Sequence, residues 1–293
     1  MPKYLKSLLS RTVFILLLAL PLIVSAHQPR IVDINNVKVL ITDPEISKAY
    51  YDTLSGLPRI YHIDSLAPFE LFLQISVPAN SNPDGRYSVT VYKINGTRAQ
   101  LAKLDADSGP WTPFFEPFGY DNYFQGPQFK QKLPSGTYEV EVYGNSNQGS
   151  YTLAIGETES FPLVEIITSL QVIPELKSTF FHSSPATFLG SPFGIGYLLA
   201  MLALACLFSK VCRWFFMKHS KTAARKAPKN ISTAGRWIRF GIGIMLLIYT
   251  IFTSWNPFLL FFSFFLIVQA RTCWCVVYAI MGKNYCEKTP KKE

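Results

Sequence analysis

The sequence predicts an all-β antiparallel sandwich joined to an α-helical membrane anchor of three transmembrane helices. Three observations carry this. Segments rich in β-branched and aromatic residues recur between His27 and Phe161, punctuated by Gly, Asn and Pro. Two uncharged apolar runs, residues 193–209 and 240–270, lie toward the C-terminus. Charge is segregated: residues 27–190 hold 11 basic and 17 acidic side chains, and residues 191–293 hold 14 basic and 2 acidic. The net charge of +9 thus belongs to the ends of the chain, and the acidic middle argues against nucleic acid as a partner.

The chain opens on a secretory pattern. Lys3, Lys6 and Arg11 form a positive region, residues 12–24 an apolar stretch, and Val24-Ser25-Ala26 a cleavage site before His27. A helix over that stretch reaches about 20 Å, short of a hydrocarbon core about 30 Å thick. Residues 1–26 are therefore expected to be a cleaved signal peptide.

Residues 27–172 are expected to form the exported, periplasmic sandwich. Ile31-Val-Asp-Ile, Val37-Lys-Val-Leu-Ile, Phe69-Glu-Leu-Phe-Leu-Gln-Ile-Ser-Val and Tyr87-Ser-Val-Thr-Val-Tyr read as strands. Tyr138-Glu-Val-Glu-Val-Tyr and Tyr151-Thr-Leu-Ala-Ile flank a Gly- and Asn-rich turn and read as a hairpin. Asn95-Gly96 marks a second turn. Residues 45–54, preceded by Asp43-Pro44, are the one expected short helix, and residues 163–172 a last strand. Residues 173–190 read as a linker. All five cysteines lie beyond residue 200, so this domain folds without disulfides.

The run Leu133-Pro-Ser-Gly-Thr-Tyr138-Glu-Val-Glu-Val, with Gly149-Ser-Tyr151-Thr-Leu-Ala-Ile-Gly156, resembles the last hairpin of exported bacterial β-sandwiches of the pre-peptidase C-terminal type. The resemblance spans about 25 residues of turn and core chemistry, so it implies a fold and no activity.

Candidate sites in this domain are sparse. Residues 109–127 crowd Trp111, Phe114, Phe115, Tyr120 and Tyr123 among prolines and glycines. The stretch reads first as a long loop closing one end of the sandwich with its rings buried. Alternatively, those five rings form a binding platform for a sugar, an envelope polymer or a partner peptide. No G-x-S-x-G and no acid, base and nucleophile set stands out, so no catalytic residue is assigned. His27 would become the first residue after cleavage, and its α-amine and imidazole form a chelating pair for copper, with His62 and His182 as further ligands. Otherwise no cofactor is expected.

The membrane part begins at Ser191-Pro192, a helix start. Residues 191–209 form the first expected span. Residues 210–239 carry nine Lys or Arg and no acid, a loop that the positive-inside rule places in the cytoplasm. Within 240–270, Trp255-Asn256-Pro257 breaks the run into two spans, which returns the tail, residues 283–293, to the cytoplasm. Arg271 is the charged exception, either an interfacial anchor or a functional residue.

Arg236-Trp-Ile-Arg239-Phe-Gly-Ile-Gly, the hairpin around Trp255, and Cys275, Tyr278, Gly282 and Cys286 in a Cys-x-x-Tyr-x-x-x-Gly-x-x-x-Cys pattern resemble the YgaP-like inner-membrane domain, here residues 240–282. Val276 stands where that family usually has Pro, and Cys273 where it has Gly. The resemblance implies a helical hairpin in a bacterial inner membrane. The family is sometimes joined to a sulfur-handling rhodanese; no rhodanese loop occurs here, so sulfur transfer does not carry over. Cys273, Cys275 and Cys286 read as small packing residues or, alternatively, as a thiol redox or soft-metal cluster. The leading functional expectation is a membrane-anchored, non-enzymatic binding or interaction protein. The alternative is a metal or thiol-redox protein.

Overall fold

The computed structural model describes residues 27–220, 222 and 227–286. The expected signal peptide, Lys221 and residues 223–226 of the basic loop, and Lys288, Lys291 and Lys292 of the tail lie outside the described residues. The chain divides into two units, one ending at Ser191 and the other beginning at Pro192.

The N-terminal unit holds two sheets. The six-stranded sheet runs in the order β1-β3-β11-β5-β9-β8. These strands are β1 Gln28–Ile31, β3 Lys48–Ser55, β5 Phe69–Pro78, β8 Thr112–Glu116, β9 Asp121–Leu133 and β11 Gln148–Ile155. The five-stranded sheet runs β2-β4-β10-β6-β7. Its strands are β2 Lys38–Ile41, β4 Arg59–Ser65, β6 Ser88–Asn95, β7 Thr97–Leu104 and β10 Gly136–Tyr143. Alternation decides which face is inside. Leu71, Leu73, Ile75 and Val77 of β5, and Tyr138, Val140 and Val142 of β10, are fully or almost fully buried and join one core with residues from both sheets. Burying each such aliphatic side chain stabilises the fold by about 1.5–3 kcal/mol.

One polar network sits inside that core. Asp52 accepts from Arg59 Nε at 2.8 Å and Nη2 at 3.0 Å, from Tyr61 Oη at 2.9 Å and from Tyr151 Oη at 2.8 Å. The carboxylate is thus satisfied by strands of both sheets and ties them together.

Several expectations need correction. Residues 138–143 and 151–155 do not form a hairpin: β10 pairs with β4 and β6, whereas β11 pairs with β3 and β5. Both strands turn apolar side chains to the same core, so the connection arches from one sheet to the other. The hairpin at Asn95-Gly96 does form between β6 and β7, with Gly96 at φ 73°. The sheets are not wholly antiparallel, because β1 pairs with β3 and β2 with β4 in parallel.

Residues 45–54 are no helix. Tyr50, Tyr51 and Thr53 favour the extended chain of β3, and Asp52 must point inward to meet Arg59. Residues 163–172 are not a strand but the first part of helix α1, Leu163–Thr179, which absorbs Pro174. The expected linker at 173–190 is folded as well: α1 continues through it, Phe180 and Phe181 are buried, and a 3-10 turn spans Pro185–Gly190. The aromatic stretch at 109–127 is likewise not a loop. It forms the hairpin β8–β9 at the edge of the larger sheet.

The C-terminal unit is helical: α2 Pro192–His219, α3 Thr233–Thr253, α4 Pro257–Thr272 and the short α5 Val276–Met281. Two of these, α2 and α3, are long and apolar enough to cross a membrane, and α4 is a shorter apolar helix of 16 residues. The break between α3 and α4 falls at Trp255, with φ 52°, and Asn256 caps α4 by accepting from the Phe258 and Leu259 N–H groups. At Gly243 the helices approach so closely that a Cβ would lie 2.9 Å from Ile267 Cγ1 and 3.0 Å from the Ser263 carbonyl oxygen.

Candidate functional site

The strongest candidate lies on the outward face of the six-stranded sheet. Register fixes its floor. Tyr51 of β3 lies opposite Thr152 of β11, Thr152 opposite Ser76 of β5, and Ser76 opposite Gln125 of β9. Beside that row, Ala49 lies opposite Ala154, and Ala154 opposite Gln74. Small side chains between larger neighbours leave a cavity of about 60 Å³.

Two elements wall it. Helix α1 is held to β1 by Arg30, whose Nη1 and Nη2 each lie 2.9 Å from a Glu165 carboxylate oxygen. Its apolar side, with Ile173 and Leu176, and the following Phe181 line the cavity. The second wall is the β8–β9 turn. Glu116 holds that turn by accepting the Phe118 N–H at Oε1 (2.7 Å) and the Gly119 N–H at Oε2 (2.6 Å). Tyr120 follows at φ 64°, and Asp121 then enters β9.

The polar groups here are buried. Lys177 of α1 is fully buried and donates to Asp121 Oδ1 at 2.7 Å and to the Tyr120 carbonyl at 3.1 Å. Tyr51 and Tyr123 share a hydroxyl hydrogen bond of 3.2 Å. Burial pushes the Glu116 carboxyl up to about 7, partly opposed by the Gly119 and Phe118 amides. Burial also raises Asp121 to about 6, opposed by the Lys177 charge. Burial lowers the Lys177 ammonium, and Asp121 opposes this. His27, another lining residue, is lowered by burial, with Glu159 pulling the other way. The cavity wall therefore holds two carboxyl groups and a histidine biased to neutrality, while the lysine approaches Asp121 without lining the space.

The five aromatic residues named from sequence separate into three environments. Phe114 lines the cavity and is 40 % exposed; Phe115 and Tyr120 are exposed and meet edge to face at 5.1 Å. Tyr123 is buried against Phe181. Trp111 is half-buried against the core and donates its indole N–H to the Ala106 carbonyl at 3.0 Å. The rings thus form an edge with two members, Phe114 and Tyr123, lining the cavity, instead of a closed end with all rings buried.

The three histidines are not brought together. His27 lines the cavity. His62 lies on the outward face of the other sheet, 2.9 Å from Asp64. His182 follows α1 at φ 50°. Among the described residues no group of three or more His, Cys, Asp or Glu is placed to hold a metal ion. That applies equally to Cys273, Cys275 and Cys286, which are free thiols.

In the C-terminal unit, Cys275 is buried and clasped by Asn230, whose Oδ1 accepts the Cys275 N–H at 2.7 Å and whose Nδ2 donates to the Cys275 carbonyl at 2.9 Å. Arg239 stacks over Tyr278 at 4.8 Å and donates toward Cys275 Sγ at 3.7 Å. Arg271 lies exposed in the last turn of α4, which ends at Thr272 with Cys273 left-handed.

Glu116, Asp121, Thr152 and Lys177 were not singled out by sequence patterning. One signal was available for Lys177: it sits at helical spacing between Ile173 and Phe181, a cation on an apolar face. Thr152 gave none, because a threonine in a strand is ordinary.

No curated protein matches the chain. Among solved structures, the pre-peptidase C-terminal domain of collagenase from Bacillus anthracis is similar at 13% identity, covering 41% of this chain and 92% of that chain with a TM-score of 0.26. Residues 227–289 match the family model of the inner membrane protein YgaP-like transmembrane domain, which makes the chain a membrane protein with a YgaP-like domain behind a β-rich N-terminal domain.

Proposed function

We propose that the protein is a non-enzymatic binding module of a bacterial inner membrane. Its β-sandwich faces the periplasm, and three transmembrane helices, α2, α3 and α4, anchor it with the basic loop and tail in the cytoplasm. The charge segregation supports this orientation: residues 210–239 carry nine basic side chains and no acid beside the apolar helices. The ligand enters the cavity between α1 and the six-stranded sheet, past the exposed edge of β8.

The observation that carries binding is the cavity itself, a space of about 60 Å³ roofed by a helix, lined by polar as well as apolar side chains and bordered by the exposed Phe114. Helix α1 covers a sheet face that carries hydroxyls, amides and carboxyls where a purely structural contact would favour apolar packing. What supports binding over metal or redox chemistry is the dispersal of His27, His62 and His182, together with the burial of Cys275.

Native mass spectrometry of the full chain, released from its own membranes, tests this. A small non-lipid adduct is expected on the wild type and is lost in Ala154→Leu, which fills the cavity. Protease resistance of the variant shows whether its N-terminal domain is folded. Equal adduct occupancy in folded Ala154→Leu, or no adduct on the wild type, would contradict the reading.

A further inference from the structure

Three of the cavity's hydrogen-bonding groups keep an unused capacity to accept. Thr152 is 6 % exposed, lines the cavity, and its Oγ1 has no hydrogen-bond partner. A hydroxyl left so costs stability unless something in the cavity meets it. Gln74 spends its amide N–H groups on the Gly126 carbonyl at 2.8 Å and the Ile75 carbonyl at 3.3 Å, which leaves its oxygen as an acceptor. Glu116 accepts one backbone N–H at each oxygen and retains lone pairs beyond those.

Charge points the same way. The lining contains Glu116 and Asp121 and no Lys or Arg. Lys177 bonds directly to Asp121, through Oδ1, and reaches Glu116 only as a more distant charge. Glu116 has no cation within ion-pair distance among the described residues. Aromatic rings, Tyr51, Tyr123, Phe114 and Phe181, complete the wall, and ring faces attract a cation.

Size narrows the class. At about 10–15 Å³ per water, the space admits some four to six waters or a comparably small group, too little for a sugar ring. We propose that the cavity takes a primary ammonium group on a short alkyl chain. The ammonium donates to Thr152 Oγ1, Gln74 Oε1 and Glu116, and the alkyl stem leaves past Phe114. This inference rests on the binding reading above and names its ligand class. The same chemistry is presented by a free alkylamine and by a lysine-type side chain of a peptide or cross-linked polymer.

Binding should be pH-dependent. Glu116 ionises around neutrality in the empty cavity, facing Asp121, Tyr123, Lys177, Tyr51 and His27 from the surrounding elements. An alkylammonium stays charged to well above pH 9. Binding therefore tightens as pH rises from 6 to 8 and releases a proton from Glu116.

Isothermal titration of the full chain in nanodiscs tests the proposal, with n-butylamine, Nα-acetyl-lysine methylamide and n-butanol as probes. n-Butylamine should bind saturably, at least tenfold more tightly than n-butanol. Thr152→Val and Glu116→Gln should each weaken it at least tenfold, and Thr152→Ser should retain it. Thr152→Val removes an unsatisfied hydroxyl without changing shape, so its loss of binding is not a loss of fold. Tighter binding of the lysine derivative assigns the ligand to a peptide or polymer; tighter binding of n-butylamine assigns it to a free amine. Equal uptake of n-butanol overturns the ammonium assignment and leaves the binding reading standing. Amine binding that ignores both variants puts the amine elsewhere and overturns the assignment too. If no probe binds and the wild type carries no native adduct, both readings fall.

Discussion

Replacing Glu116 by Gln should change how the stability of the N-terminal domain depends on pH. The folded carboxyl titrates at about 7, against 4.5 when unperturbed, because burial disfavours its charge. A raised carboxyl binds its proton more tightly in the folded state. Its contribution is thus fully present below about pH 4.5 and is lost as pH climbs through about 7. The 2.5-unit difference between those two values corresponds to about 3 kcal/mol at 1.36 kcal/mol per unit, and residual solvent access reduces this to about 2–3 kcal/mol. Gln cannot ionise, but its NH₂ would face one of the two amides that Glu116 now accepts, which costs about 1–3 kcal/mol at every pH. The variant should therefore be the less stable protein at pH 4.5 and gain about 2–3 kcal/mol on the wild type by pH 8. Trp111 is the single tryptophan between residues 27 and 191, so the ¹⁹F signal of fluorotryptophan there reports urea unfolding of this domain alone. Parallel stability curves for the two proteins from pH 4.5 to 8 would refute the assignment of Glu116 as a buried, proton-holding group.

Three further outcomes follow from buried polar pairs. Lys177→Met leaves Asp121 buried without its partner and should lower domain stability by about 3–5 kcal/mol near pH 8, with much of that recovered in Lys177→Met/Asp121→Asn; an unchanged urea midpoint in the single variant would be inconsistent with a paired lysine. Asp52→Asn should cost about 3–5 kcal/mol, because Arg59 stays buried between the sheets; the same titration measures it, and a loss under 1 kcal/mol would be too small for the network described. Asn230→Ala removes both hydrogen bonds to the Cys275 backbone and should lower the midpoint of detergent-induced unfolding, at a cost of about 2–3 kcal/mol. Cys275 should also become faster to alkylate, and unchanged alkylation would count against the clasp.

The legible parts of the fold were those in which one local rule dominates. The alternation in residues 138–143 and 69–77 marked strands because half of each faces a dry core. Ser191-Pro192 marked a helix start because proline suits the first helical turn, and Trp255-Asn256-Pro257 marked the break between two helices. What was not legible depended on distant partners. Asp43-Pro44 signals a helix over 45–54, whereas the extended chain there depends on Asp52 and Arg59, a pair that lies seven residues apart on different strands. The segment 163–172 resembles a strand because Val164, Ile166, Ile167 and Val172 are β-branched; its helicity follows from covering a sheet face already built. The turn signal at 144–147 does not say whether its two strands share a sheet, and here they belong to different ones. The aromatic stretch showed its composition but not its hairpin, which Glu116 fastens through two backbone amides. The candidate site suffered most, since Thr152, Glu116 and Lys177 come from three elements that only the tertiary structure assembles.

The orientation of the two units across the bilayer is the claim on which the functional reading depends. It is tested most directly by cysteine labelling in intact cells, with the native cysteines replaced by Ser and single cysteines introduced at the exposed positions Leu66 and Thr222. A membrane-impermeant maleimide reaching the periplasm should label Leu66→Cys before lysis and Thr222→Cys only afterwards. Labelling of Thr222→Cys in intact cells, with Leu66→Cys protected until lysis, would contradict the account.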